Sequence, residues 1–114
     1  MVDGLQSVFF YVADMDRAVS FYAGLLGLPV LERSDEWSAF DCGGVRFGLH
    51  LSDAPRKGES GAIVSFRVAD ARAAAERLRA AGAEVGDVHD EPFGLLVHLE
   101  DPDGHSLRLV QPRA

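Results

Sequence analysis

Residues 8–14 read Val8-Phe9-Phe10-Tyr11-Val12-Ala13-Asp14, and residues 64–70 read Val64-Ser65-Phe66-Arg67-Val68-Ala69-Asp70. Five of these seven positions are identical, and the two stretches lie about half of the 114-residue chain apart. A separation of that size is typical of one internal duplication, because solenoid repeats recur several times at shorter periods. The sequence therefore predicts two copies of one structural unit.

Each copy predicts a strand followed by a helix. Apolar residues alternate with other residues along both stretches, which indicates a strand covered on one face. The aspartate that ends each stretch is a favoured N-cap residue, and a glycine some twelve residues later is a favoured helix terminator. The predicted helices are about Met15–Leu26, ended by Gly27, and about Ala71–Ala81, ended by Gly82.

Three more strands are predicted after each helix. Gly43-Gly44 and Asp101-Pro102-Asp103-Gly104 are strong turn signals that join the last two strands of each set. The predicted strands are Leu28–Arg33, Trp37–Cys42 and Val45–Leu51, then Glu84–Val88, Leu95–Glu100 and Ser106–Val110. The sequence thus predicts one α+β domain over residues 1–114. It has a first repeat at about 5–51, a polar linker at 52–61 and a second repeat at about 62–111.

The composition restricts the class of partner. Eleven Lys and Arg against eighteen Asp and Glu give a net charge of −7, which repels nucleic acid and anionic membrane surfaces. The chain shows no signal-peptide pattern and no apolar run long enough to span a bilayer. Its single Cys42 cannot form an internal disulfide. We therefore expect a cytoplasmic protein that contacts neither nucleic acid nor membrane.

The order strand–helix–three strands, twice over, resembles the vicinal oxygen chelate superfamily of glyoxalases, bleomycin-resistance proteins and dioxygenases. Residues 12–22, followed by Leu26-Gly27-Leu28, look like the first-helix signature of that family, and residues 100–109 look like its last hairpin. The resemblance spans the whole chain. It implies two βαβββ repeats that form a curved mixed sheet around a ligand-binding cup, in a homodimer with two-fold symmetry.

Alternation sorts the strand residues into two faces, because one face of each strand must be apolar and meet the helices. Val8, Phe10 and Val12 form such a face, so Phe9 and Tyr11 are predicted to line the cup. The same reasoning places arginines and histidines there, and Trp37, Phe40 and Phe93 are further aromatic candidates, with core packing as an equal alternative for Trp37 and Phe40. The predicted ligand-binding residues are Phe9, Tyr11, Trp37, Phe40, Arg46, His50, Phe93, His98 and Arg108. His89 and His105 are predicted to lie in or beside turns, in contact with solvent.

The positions that the resemblance assigns to metal ligands carry residues that are poor ligands or cannot bind a metal at all. They are Ser7, Gly48, Ile63 and Arg108, and a divalent metal needs His, carboxylate or thiolate groups instead. We therefore expect no cofactor. The alternative is a displaced divalent metal site made by His50, His98 and Glu100.

Two functions follow from these expectations. The first is a metal-free protein of the bleomycin-resistance type, which would bind an aromatic or heterocyclic molecule and confer antibiotic resistance. The second is an enzyme of the same superfamily, a lyase, isomerase or dioxygenase, with the displaced metal or with acid–base catalysis. A fold shared by so many chemistries does not choose between them.

Overall fold

A computed structural model of the chain describes residue 1, residues 6–53 and residues 63–113. Two compact units make up the chain, Met1–Arg56 and Lys57–Ala114. Most of the predicted linker at 52–61 lies outside the described residues. No helix in the described part of the chain is long and apolar enough to cross a membrane.

The first unit has the order β1, α1, β2, β3, β4. Strand β1 pairs with β4 in parallel, and β2, β3 and β4 pair antiparallel, so the sheet order is β1-β4-β3-β2. The bounds are β1 Val8–Val12, α1 Met15–Val19, β2 Val30–Arg33, β3 Trp37–Cys42 and β4 Val45–Leu51.

The second unit repeats this topology with the sheet order β5-β8-β7-β6. Its bounds are β5 Val64–Arg67, α2 Ala71–Ala80, β6 His89–Glu91, β7 Gly94–Glu100 and β8 Ser106–Pro112. The predicted pair of βαβββ repeats with mixed sheets is therefore confirmed.

One predicted strand is in the wrong place. Residues 84–88 form only an isolated bridge between Val85 and Leu99, and regular pairing begins at His89, opposite Leu96. An unbroken antiparallel register from the first pair would bring His89 opposite Leu95. The chain therefore slips by one residue at this point, which ends the ladder in the way a β-bulge does.

Each sheet buries one face under its own helix. Helix α1 packs on β3 and β4, and α2 packs on β7 and β8. In the first unit the largest fully buried side chains of this layer are Tyr22, Phe40, Leu49 and Val12, and in the second unit they are Leu107 and Val97. The predicted helix-facing positions Phe10 and Val12 are 5 % and 0 % exposed, as the period-two pattern requires.

Both aspartate caps are formed. The Asp14 side chain accepts a hydrogen bond from the Arg17 backbone N–H, and the Asp70 side chain accepts one from Ala73, each at 3.0 Å. Each bond satisfies an N–H group that the first helical turn leaves without a backbone partner. Gly27 and Gly82 adopt φ values of 79° and 92°, the left-handed geometry that ends a helix.

The first helix differs from its prediction because its second half is a π-helical segment, Ser20–Leu25. Its last bonds span five and six residues, from the Leu26 N–H to the Phe21 carbonyl and from Leu28 to Tyr22. The sequence contains the cause, since Gly27 follows Asp14 by one residue more than Gly82 follows Asp70. A π-turn accommodates one inserted residue without shifting the helix end.

The turn between β7 and β8 is built around a buried pair, Asp101 and His105. One carboxylate oxygen of Asp101 accepts bonds from the Asp103 and His105 backbone N–H groups, each at 2.9 Å. The other oxygen lies 2.7 Å from Nδ1 of His105. The His105 residue is 4 % exposed, so the prediction that it contacts solvent is wrong. The imidazole is buried because it satisfies the carboxylate that closes the turn.

We predict that the Asp101→Ala variant loses about 3 kcal/mol of unfolding free energy, because it removes a buried acceptor of three hydrogen bonds. Urea denaturation followed by circular dichroism measures this loss. The matched control is Asp87→Ala, since Asp87 is an exposed aspartate of the same unit, and its expected change is within about 0.5 kcal/mol. A similar small change in both variants would contradict this account of the turn.

Candidate functional site

The face of the first sheet that points away from α1 carries a compact set of rings. Strand register places Tyr11, His50 and Trp37 side by side across β1, β4 and β3. The neighbouring row contains Phe9 and Gly48. Neighbouring strands lie about 4.8 Å apart, so side chains of one row and of adjacent rows on a face reach each other.

Four rings of these rows contact one another and form what we call the aromatic cluster: Phe9, Tyr11, Trp37 and His50. The centroids of Phe9 and Tyr11 are 5.5 Å apart, and those of Phe9 and Trp37 are 5.7 Å apart, both edge to face. The His50 ring lies 5.5 Å from Tyr11 and 6.2 Å from Trp37. Such geometry is favourable for aromatic pairs, so the rings orient one another.

A glycine in the middle of β4 makes room for the indole. A Cβ atom placed on Gly48 would lie 2.2 Å from Cη2 and 2.7 Å from Cζ2 of Trp37. The indole therefore lies directly on the Gly48 backbone. Glycine inside a strand weakens the strand unless a close approach requires it, and the approach here is that of Trp37. This contact was not predicted, although a lone glycine within an otherwise regular strand pattern was its signal.

The aromatic cluster leaves apolar surface uncovered. Phe9 is 44 % exposed and Tyr11 is 48 % exposed, although both are large aromatic residues in a regular strand. The prediction that these two residues point away from the helix is confirmed. An ordered group of exposed rings is the kind of surface on which a flat ligand stacks.

His50 has a defined hydrogen-bonding role. Its Nδ1 lies 2.8 Å from the backbone carbonyl oxygen of Leu51, and a carbonyl only accepts. Nδ1 must therefore carry the proton, so in the neutral ring Nε2 has a free lone pair. In the part of the chain that the structure describes, no group donates a hydrogen bond to Nε2. His50 thus offers an acceptor within the aromatic cluster.

Two other predicted site residues of the first unit, Phe40 and Arg46, do not belong to the aromatic cluster. Phe40 is fully buried and contacts Tyr22 and Phe47 on the helix side of the sheet, so its predicted place in the cup is wrong. It belongs to the core because β3 turns alternate residues to opposite faces. Arg46 shares a face with the aromatic cluster, but its guanidinium forms an ion pair with Glu32.

The free thiol of the unit is poorly suited to nucleophilic attack. Cys42 is partly buried at the end of β3. Burial, and then the negative charge of Asp41, raise the pKa of this thiol above its ordinary value of 9.0. The reactive thiolate is therefore scarce at neutral pH.

The second sheet carries polar and charged residues on its open face. Register places Ser65, Arg108 and His98 side by side across β5, β8 and β7. The Nε–H of Arg108 donates a hydrogen bond to Oγ of Ser65 at 3.0 Å. The remaining predicted residue, Phe93, lies in the turn between β6 and β7 and is 50 % exposed.

The residues at the predicted metal-ligand positions do not fit a divalent metal. The indole of Trp37 occupies the space that any side chain at position 48 would need. Ile63 has no donor atom, and Arg108 is a fixed cation. In residues 6–53 and 63–113, no three His, Cys, Asp or Glu side chains form a group that could hold a metal.

The three candidate ligands of the alternative metal site belong to two different units. His98 and Glu100 project from the same face of β7 in the second unit, whereas His50 belongs to β4 of the first unit. Two of the three candidate donors therefore share one strand, and the third lies on a strand of the other unit.

Comparison with known proteins identifies the class. Residues 4–109 match the model of the Glyoxalase/Bleomycin resistance protein/Dioxygenase superfamily. The chain belongs to this superfamily. It is 32 % identical to the metallothiol transferase FosB of Shouchella clausii, over 96 % of this chain and 80 % of that protein.

Solved structures show the same fold. TnmS3, an antibiotic binding protein from Streptomyces sp. CB03234, superposes with a TM-score of 0.80 at 25 % identity, over 98 % of both chains. The fosfomycin resistance protein FosX from Listeria monocytogenes superposes with a TM-score of 0.83 at 18 % identity, over 99 % of this chain and 96 % of that one. The relatives thus include a binding protein and a transferase.

We predict that Gly48→Ala displaces the indole of Trp37, because the new methyl group would overlap it. Trp37 is the only tryptophan, so its fluorescence maximum reports the change directly. We expect a red shift of about 5–10 nm, since a displaced indole gains contact with water, together with a loss of about 1–3 kcal/mol of stability.

The matched control is Gly24→Ala, because a Cβ atom at Gly24 meets nothing within 4 Å. This variant should keep the wild-type emission maximum. An unchanged spectrum in Gly48→Ala would show that the indole does not lie on the glycine.

Proposed function

We propose that this protein binds a small planar aromatic or heterocyclic molecule on the aromatic cluster and does so without a metal. The observation that carries the proposal is the exposure of Phe9 and Tyr11 at 44 % and 48 % within an ordered set of four rings. Covering the apolar surface of these rings with a ligand is favourable by about 25 cal/mol per Å².

The cluster is organised before any ligand arrives. The contact of Trp37 with Gly48 fixes the indole, and Phe9 packs edge to face against both Trp37 and Tyr11. A site whose side chains are already ordered loses little conformational entropy on binding. Rigid aromatic side chains are therefore efficient anchors for a flat ligand.

His50 adds specificity to the stacking surface. Its Nε2 atom is an acceptor in the neutral ring, because Nδ1 donates to the Leu51 carbonyl. A ligand that carries an N–H or O–H group beside its ring system can satisfy this acceptor. We therefore propose that the preferred ligands are aromatic hydrogen-bond donors, such as azoles, indoles or phenols.

One family relative supports sequestration as the biological role. TnmS3, which is 25 % identical to this chain, is an antibiotic binding protein. We propose that this chain protects a cell by binding an aromatic antibiotic in the cytoplasm. We also propose that it acts as a homodimer, in which two-fold symmetry gives two equivalent sites.

A second candidate is a metal-dependent enzyme, favoured by the 32 % identity to a metallothiol transferase. This alternative requires ligands other than Ser7, Gly48, Ile63 and Arg108, with His50, His98 and Glu100 as the candidates. Elemental analysis of purified protein separates the two functions. A stoichiometric divalent metal that is lost in a His50→Ala/His98→Ala variant would overturn the metal-free proposal and favour the second candidate.

We predict that indole binds to the aromatic cluster and that Phe9→Ala weakens its binding about fivefold to tenfold, because one edge of the stacking surface is lost. The dissociation constant is measured from the Nε1–H signal of Trp37 in spectra of ¹⁵N-labelled protein. The matched control is Leu31→Ala, an exposed apolar residue on β2, which should leave the affinity unchanged.

The role of His50 is tested with a second probe. N-methylindole lacks the N–H group, so it should bind the wild-type protein several-fold more weakly than indole does, since the acceptor is then left unpaired. The His50→Phe variant should bind both probes equally. If the wild-type protein bound indole and N-methylindole equally, the hydrogen bond to Nε2 of His50 would be excluded. If Leu31→Ala weakened indole binding as much as Phe9→Ala does, the aromatic cluster would be excluded as the binding site.

A further inference from the structure

We propose that the second unit has an oxyanion-binding site of its own, centred on Arg108 and completed by Ser65, His98 and Arg67. Its ligand class is a small carboxylate or phosphate. The site goes beyond the proposed aromatic site, because it uses none of the same residues and stands on separate observations.

Register brings the four residues onto one face of the second sheet. Ser65 lies opposite Arg108 on β5, and His98 lies opposite Arg108 on β7. Arg67 is two residues beyond Ser65 on the same strand and therefore on the same face. Ser65, Arg67 and His98 are exposed, and Arg108 is partly buried. The central guanidinium thus has a donor or a cation on each side.

Arg108 is held in place but is not neutralised. Its Nε–H donates to Oγ of Ser65, which fixes the guanidinium and leaves its two terminal nitrogens available. Within the described residues, no carboxylate lies within 4.0 Å of Arg108 or Arg67. The arginines Arg33, Arg46 and Arg113, by contrast, each pair with a carboxylate.

What sets Arg108 and Arg67 apart is their position. Among the described residues, the unpaired arginines Arg72, Arg77 and Arg79 lie on helix α2, whereas Arg108 and Arg67 share the open face of the second sheet. Two cations on adjacent rows of one face repel each other. Such an arrangement costs folding free energy and is typical of sites that bind the opposite charge.

The donors match the geometry of an oxyanion. A guanidinium presents parallel N–H groups that fit two oxygens of a carboxylate or phosphate. Because Oγ of Ser65 accepts from Arg108, its own hydroxyl proton is free to donate to the same ligand. On β7 the acidic residue of this face is Glu100, which lies in register with Ser106 at the row next to Arg108 and forms no ion pair with Arg108 within 4.0 Å.

The experiment is a titration of the full-length ¹⁵N-labelled protein with inorganic phosphate and, separately, with acetate. Ionic strength is held constant with sodium chloride, and the Nε–H signal of Arg108 is followed because its bond to Ser65 makes it observable. We expect a saturable shift with at least one of the two anions, and the anion that binds more tightly identifies the ligand class as phosphate or carboxylate.

Variants make the test specific. Arg108→Gln should weaken anion binding about tenfold or more, followed through the Ser65 amide, and Ser65→Ala should weaken it about threefold to tenfold. Arg113→Gln removes the same charge from the same unit but breaks a pair with Asp90, so it should change the affinity less than about twofold. The proposal would be overturned if the signal shifts did not saturate with anion concentration. It would also be overturned if Arg108→Gln and Arg113→Gln weakened anion binding equally, since the anions would then act only by screening the protein's charge.

Discussion

Strict alternation along the strands is the constraint on which the rest of the structure depends. Each sheet must cover one face with its helix, so every second residue is committed to the core, as Phe10, Val12 and Leu49 are. The intervening residues are released from packing and are open to function. In the first unit they include the aromatic cluster, and in the second they include Ser65, Arg67, His98 and Arg108. One topology thus carries two different surfaces.

The sequence predicted the fold because its signals were redundant. The duplicated strand, the two aspartate caps and the two glycine terminators all agreed, and agreement between independent local signals is what specifies a fold. The sequence-based prediction was wrong where one extra residue changes the backbone geometry but leaves the apolar periodicity intact. The π-helical segment Ser20–Leu25 absorbs one extra residue, and the slip between Val85 and His89 moves a strand.

The candidate site was predictable only in part. Alternation within β1 correctly separated Phe9 from Phe10, but the same reasoning was not applied to Phe40, which faces α1. The burial of His105 depends on contacts that only the folded turn makes. The position of the Trp37 indole against Gly48 depends on packing between two neighbouring strands. Neither can be read from local propensity. The contact between Trp37 and Gly48 explains why the first sheet carries an ordered aromatic surface at position 48, to which the family resemblance assigned a metal ligand.

Binding on the aromatic cluster is proposed to need no metal. The most direct measurement is the dissociation constant of indole, determined once in excess EDTA and once with a stoichiometric divalent metal, zinc or manganese, after the protein has been stripped of metal. We expect the same dissociation constant in all conditions, because the indole of Trp37 occupies the space that a metal-binding side chain at position 48 would need. Binding that is abolished by EDTA and restored by one equivalent of metal would contradict it.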